Sequence, residues 1–162
     1  MTALDPKQAN AAFAATLQPI VDVLKTLDAN QPAVAQRELT KRLPLDGPVL
    51  TAIRAAAEAG AAAGWQLPKE NMGVRFGRVA KDLAGFSVDA VAMHGPGPKH
   101  RHTNGEFDLC FATGGAPTFD GHPPGWVVFG PGSVHVPTVA GGSMLILYFL
   151  PAGGIEFLTD GG

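Results

Sequence analysis

Hydrophobic positions follow two different periods along this chain, and the change falls near Trp65 to Pro68. Before it, Phe13, Leu17, Ile20, Leu24 and Leu27 recur at three- and four-residue steps, the spacing of one helical face. Asp5-Pro6 suits the start of that helix as N-cap and first helical residue. Pro19 is expected to kink or divide it, because proline interrupts the backbone ladder. A second helix is predicted from Asn30 as cap through Gln31-Pro32 to Leu43, with Pro44 as its stop and Val34, Leu39 and Leu43 buried. A third starts after Asp46 and ends near Gly64, turning Val49, Ile53, Ala56 and Ala57 inward, where small residues permit close packing. These helices are expected to cover one face of the following sheet, with a lid or a dimerisation arm as alternatives.

From Gly73 onward the pattern is that of strands: Gly73 to Val79, Phe86 to Met93, Glu106 to Thr113, Gly125 to Phe129 and Ser143 to Leu150, each bounded by Gly, Pro or Asp-Gly. Many short strands with such turns indicate a sandwich or barrel. The division is therefore a helical region over 1–67 and a β-barrel over 68–162. In Glu106 to Ala112 alternation puts Glu106, Asp108, Cys110 and Ala112 on one face and Phe107, Leu109 and Phe111 on the other. The second face needs a cover, from the N-terminal helices or a second subunit.

At 162 residues the chain can bury one proper core with an extension. A net charge of −2 leaves no basic surplus for phosphates or anionic lipid, so neither nucleic acid nor membrane is expected as a partner. Cys110 is the single cysteine, which excludes an internal disulfide and a cysteine-cluster zinc site and fits a reducing cytoplasm. Met-Thr-Ala-Leu-Asp-Pro at the start lacks a basic region followed by an apolar core, so no secretory signal is expected.

The chemistry concentrates between Lys99 and His135. On a strand His100 and His102 share a face and can chelate one cation. Glu106 follows across the turn-prone Thr103-Asn104-Gly105, and His135 would close the set. Three imidazoles and a carboxylate suit a divalent ion with open positions, whether zinc, iron, manganese or nickel.

These residues resemble the cupin superfamily, whose first motif reads His-x-His, three or four residues, then Glu, here His100, His102 and Glu106. Its second reads Gly-x5-Pro before a further His, here Gly125 to Pro131 with His135. The resemblance covers roughly Gly73 to Phe157 and implies a mainly β, jelly-roll barrel preceded by an α-helical region, with His100, His102, Glu106 and His135 binding metal inside the barrel. His135 sits one residue nearer the proline than usual, a variant that looks like the cupin half of zinc-binding anti-sigma factors. The whole chain is similar to 4-hydroxylaminobenzoate lyases through its alanine-rich front, Phe119-Asp120-Gly121, Gly125-Trp126-Val127-Val128, Pro131-Gly132-Ser133, Pro137-Thr138-Val139 and the Tyr148-to-Phe157 tail. That similarity implies release of ammonia from a small aromatic hydroxylamine with formation of a 3,4-dihydroxybenzoate.

On that reading Asp108 is the first candidate for moving protons beside the metal ligand Glu106. Arg75 and Arg78 are candidates for a benzoate carboxylate, and strand alternation allows only one of them to face inward. Arg101 should point outward. Trp126 and Phe129 are candidates to stack on an aromatic ligand or to pack the core. His94 and His122 would lie near the barrel mouth, and Cys110 reads as a small buried filler. An Fe(II) dioxygenase acting on a small aromatic or diketone substrate, and a non-catalytic zinc or ligand sensor, are the competing functions. A homodimer is expected from the apolar outer strand.

Overall fold

The computed structural model describes residues 5–158; the outermost residues of the two expected regions, 1–4 and 159–162, lie outside them. Four helices come first: α1 Pro6–Thr16, α2 Gln18–Leu24, α3 Pro32–Arg42 and α4 Pro48–Ala63. Nine strands follow: β1 Lys69–Asn71, β2 Val74–Leu83, β3 Phe86–Met93, β4 His100–Arg101, β5 Glu106–Phe119, β6 Gly125–Phe129, β7 Val134–His135, β8 Val139–Pro151 and β9 Glu156–Phe157. They form an antiparallel six-stranded sheet in the order β1-β2-β3-β8-β5-β6 and a three-stranded sheet in the order β7-β4-β9. The chain crosses between the sheets after β3, β4, β6, β7 and β8, the alternation of a jelly roll.

The helix starts follow local chemistry. Asp5 caps α1 by accepting a 2.9 Å bond from the Gln8 N–H, and Pro19 in the first turn of α2 divides the predicted long helix in two at Leu17. Two expectations for the next helices are corrected. The cap of α3 is Gln31, not Asn30, because Pro32 takes the first helical position; Asn30 instead donates its backbone and side-chain N–H to Asp28 Oδ1. The buried face of α3 is Ala35, Leu39 and the following Leu43, while Val34 is 43% exposed. On α4 the deepest residues are Leu50, Ile53, Ala57 and Gly60. Val49 and Ala56 are only partly buried on its flank.

Alternation in the large sheet separates two cores. Phe107, Leu109 and Phe111 of β5 join Leu145, Leu147 and Phe149 of β8, Val88 and Ala90 of β3, and the apolar faces of all four helices. Fully burying each large side chain contributes about 1.5–3 kcal/mol, so the helices supply the cover this face requires. The opposite face holds Cys110, Val127, Ile146, Tyr148, Met93 and Met144 inside the barrel. The α3 helix also closes the β6 edge: Gln36 Oε1 accepts the Val128 N–H at 3.1 Å, and Trp126 Nε1 donates to the Leu43 carbonyl at 3.0 Å.

Two strands run longer than the sequence pattern indicates. The β5 and β8 strands stay paired past Thr113 to Phe119 and back to Val139, through register shifts at Ala112/Gly114 and Gly115/Thr118. Glycine is required in this stretch because a Cβ on Gly142 would sit 2.0 Å from the Gly114 carbonyl oxygen.

Candidate metal centre

Four side chains from three parts of the barrel converge between its sheets. His100 lies on β4, directly opposite His135 of β7 and Phe157 of β9, so the three share the face turned toward the large sheet. His102 follows β4 and is held by backbone bonds in both directions: its N–H donates to the Ser133 carbonyl at 2.9 Å and its carbonyl accepts from Gly132 at 2.6 Å. Gly105, with φ 95°, turns the chain so that Glu106 opens β5 on the interior face. Its neighbour across the ladder is Phe129, whose ring stacks on His102 at 4.9 Å. His100, His102 and Glu106 are buried, and His135 is the one member with appreciable side-chain exposure, 13%.

The outer nitrogen of each imidazole has a partner that fixes its tautomer. His100 Nδ1 is 3.0 Å from the Pro98 carbonyl, which can only accept. His102 Nδ1 is 2.8 Å from Ser133 Oγ, whose own hydrogen goes to the Gly130 carbonyl at 2.6 Å. His135 Nδ1 bonds the Asp120 carboxylate, whose other oxygen accepts the Thr138 N–H at 2.8 Å. In their neutral form, the one that can bind a metal, all three rings therefore carry hydrogen on Nδ1 and turn bare Nε2 atoms toward one another.

Those Nε2 atoms are 2.9, 3.1 and 3.1 Å apart. The Glu106 oxygens join them, Oε2 at 2.9 Å from His102 Nε2 and Oε1 at 3.5 Å from His100 Nε2. Lone pairs and a carboxylate crowded together without a hydrogen among them repel unless a cation sits at their centre. Metal–nitrogen bonds of about 2.0–2.1 Å, at angles between right and tetrahedral, separate ligand nitrogens by about 2.8–3.4 Å. The observed spacing fits. One donor atom from each of the four residues falls within a 4.8 Å span, and both buried Glu106 oxygens lack a hydrogen-bond donor among the described residues.

Charge is arranged to match. When no ion is bound and the imidazoles are protonated, burial still opposes ionisation of Glu106, but the hydrogen bonds that His100, His102 and Asp108 give it and the charge on His102 outweigh that and hold it at about 2. Burial pushes His100 down, yet its contacts with Glu106, the Pro98 carbonyl and the Asp120 charge leave it raised. Asp108, fully buried two residues along the same face, is driven well above the carboxylate range by burial and then by the Glu106 charge, both of which favour its protonated form.

The remaining predicted residues divide by face. Arg78 stands opposite Asp89 and bonds it through Nε at 2.5 Å. Asp89 in turn stands opposite Tyr148, and Tyr148 opposite Asp108, so the four form one row across the barrel interior. Arg75 stands opposite Ala92 on the helix-covered face and lines a hollow with Arg54 and Glu58 of α4, away from the cluster. Trp126 is corrected likewise: it is 4% exposed, packs against Phe149 under the helices with the two rings tilted at 44°, and does not reach the barrel interior. Arg101 points outward and bonds Glu156 at 2.9 Å. Cys110 is fully buried in the interior core, His94 is exposed, and His122 joins Phe119 in a two-residue bridge. Asp120 is the functional residue that the spacing argument did not single out; its only local signal is the Asp-Gly turn, where it adopts φ 47°.

A jelly roll with this His-x-His, Glu and His set in its interior has the arrangement that the cupin resemblance implies, and the four residues could hold a metal ion. The match to known proteins is narrower. The PnbB 4-hydroxylaminobenzoate lyase family matches residues 18–157, and the chain belongs to that family. It is 32% identical over 108 residues to a 4-hydroxylaminobenzoate lyase from Nocardioides sp. (strain LMS-CY), a match covering 58% of this chain and 63% of that relative's length. Among solved structures it is similar to an RmlC-like cupin protein from Ralstonia eutropha JMP134, with 16% identity, 56% of this chain and 62% of that one covered, and a TM-score of 0.43. A second is the polyketide cyclase RemF from Streptomyces resistomycificus, with 13% identity, 55% and 75% coverage, and a TM-score of 0.41. No helix among the described residues is long and apolar enough to cross a membrane.

Proposed function

We propose that the protein is a metal-dependent lyase converting 4-hydroxylaminobenzoate and water to 3,4-dihydroxybenzoate and ammonia. The observation that carries this reading is the three Nε2 atoms turned inward beside the buried Glu106 carboxylate, taken with family membership over most of the chain. A divalent ion held by His100, His102, Glu106 and His135 would supply Lewis acidity toward the hydroxylamine oxygen.

The chain's own groups do the rest. Glu106, itself buried, offsets the ion's charge as a carboxylate. Asp108 lies on the same face, where it gives a proton to the oxygen that leaves when the N–O bond breaks. The ring is then electron-poor; one water adds to the carbon beside the nitrogen-bearing one and a second replaces nitrogen on its own carbon. With the oxygen lost from nitrogen leaving as water, one water is consumed overall, ammonia is released and no external oxidant or reductant is required. Arg78, half exposed at the end of the interior row and bonded to Asp89 only through Nε, receives the substrate carboxylate.

The test is metal analysis of purified protein coupled to an anaerobic ammonia-release assay on 4-hydroxylaminobenzoate, with His102→Ala as control. Stoichiometric ammonia from the metal-loaded protein, absent in the variant, is expected. Turnover that requires oxygen, or full activity in His102→Ala, would overturn the reading.

A further inference from the structure

Phe157 is 64% exposed, yet it belongs to the same inward-facing row as two of the four cluster residues. Its ring meets His100 edge to face, with centroids 6.0 Å apart and planes at 67°. A large aromatic left in water gains nothing from the hydrophobic effect, so its position calls for an explanation.

The segment that carries it is fixed from several sides. Arg101 bonds Glu156, the Leu158 N–H donates to the Lys99 carbonyl at 2.9 Å, and Asn104 Nδ2 donates to the Pro151 carbonyl at 3.1 Å. Gly154 passes so close to the Thr103–Asn104 turn that a Cβ there would sit 2.2 Å from Thr103 Oγ1. The β9 strand is also the outer strand of the small sheet, and the turns leading to it reach the β2–β3 end of the large one: Ala152 N–H donates to the Gly85 carbonyl at 2.7 Å. Arg78 and Asp89 lie on the interior face of those same two strands. An exposed ring is thus held beside a buried cluster residue by a segment that is itself tied down.

We propose that Phe157 is a positioning residue that receives the aryl ring of the ligand, packing against it beside His100. The substrate class is then a flat benzoate whose ring lies against Phe157, with its nitrogen substituent toward the histidines. This deepens the lyase reading and rests on it for the identity of the ligand. An aromatic pair adds discrimination of about fivefold to tenfold over an equally apolar, non-aromatic partner.

The experiment measures binding to the metal-loaded protein by calorimetry, using 4-hydroxybenzoate, which has no N–O bond to break, and its saturated counterpart 4-hydroxycyclohexanecarboxylate, whose hydroxyl is likewise uncharged at neutral pH. Wild type is expected to prefer the aromatic acid by about tenfold. Phe157→Ala should lose that preference and Phe157→Tyr should keep it, both with unchanged metal content, unfolding temperature and molecular mass. Equal preference in wild type and Phe157→Ala, no preference in wild type, or a change confined to oligomeric mass in Phe157→Ala would each overturn the proposal. Ammonia release read in parallel separates the two ideas: a Phe157-dependent preference without ammonia sinks the lyase reading alone, and ammonia without that preference sinks this one alone.

Discussion

Replacing Asp120 by asparagine changes one atom and should loosen the metal by one to two orders of magnitude. Asp120 uses both oxygens, one for the Thr138 N–H at 2.8 Å and the other for His135 Nδ1. Asparagine has one acceptor and one donor, so it cannot serve both N–H groups. If its oxygen keeps Thr138, the amide NH2 faces His135, and the ring must move its hydrogen from Nδ1 to Nε2, the atom that faces the cluster. If the amide turns over, the Thr138 N–H loses its acceptor instead. Either way a hydrogen bond to a charged acceptor is lost, about 1.5–3 kcal/mol. A 10- to 100-fold fall in metal affinity, the usual effect of removing an outer partner of a ligand histidine, corresponds to about 1.4–2.7 kcal/mol, so the two routes agree. Asparagine tolerates the left-handed φ of 47° at this position, which keeps the turn itself intact. The assay is competition for zinc against a chromogenic chelator at neutral pH, with the unfolding temperature of metal-free protein as a check on the fold. Affinity within twofold of wild type, in a variant that melts like wild type, would show that Asp120 does not orient His135.

Four further outcomes follow from named contacts. Asp108→Asn should keep its metal and its stability, since an isosteric amide replaces a carboxyl that burial and Glu106 push toward its neutral form, but lower kcat about 100-fold or more if Asp108 delivers the proton; an unchanged kcat removes it from the mechanism. Trp126→Phe should cost about 1–2 kcal/mol in denaturant unfolding by orphaning the buried Leu43 carbonyl, and leave KM untouched, because the ring lies under the helices. Gly77→Ala should destabilise by about 1–3 kcal/mol, since its Cβ would sit 2.2 Å from the Gln66 carbonyl oxygen, without altering metal stoichiometry. The folded-state values of Glu106, about 2, and Asp120, lowered, lie below their unfolded ones. Their contribution to stability is therefore present above roughly pH 4 and is lost as pH falls through the folded values. Urea midpoints of metal-free protein between pH 6 and pH 3 should fall less steeply in Asp120→Asn than in wild type, and parallel curves would contradict this.

What the chain discloses before folding depends on how local each cause is. The ligand set was readable because His100 and His102 are two apart on an extended segment and Glu106 follows a glycine turn; their convergence needs only strand alternation and one φ of 95°. The division at Pro19 and the Asp5 cap are equally local. The inward faces of α3 and α4 were less so, since Val34 and Ala35, or Val49 and Leu50, are neighbours whose burial is decided by how the helices settle on Phe107, Leu109 and Phe111. Alternation stated that only one of Arg75 and Arg78 faces inward, but choosing Arg78 required the β2–β3 register with Asp89. Asp120 and Phe157 were illegible for a different reason. The β4, β7 and β9 strands are two residues each, too short to carry a period, and their partners are brought from 15 and 57 positions away by the barrel.

Three Nε2 atoms and the Glu106 carboxylate are placed to close around one divalent ion. X-ray absorption at the edge of the metal that co-purifies counts the ligands. One ion per chain is expected, with three imidazole ligands in wild type, two in His135→Ala, and oxygen filling the rest of the shell. An ion whose spectrum is identical in wild type, His100→Ala and His135→Ala would contradict this arrangement.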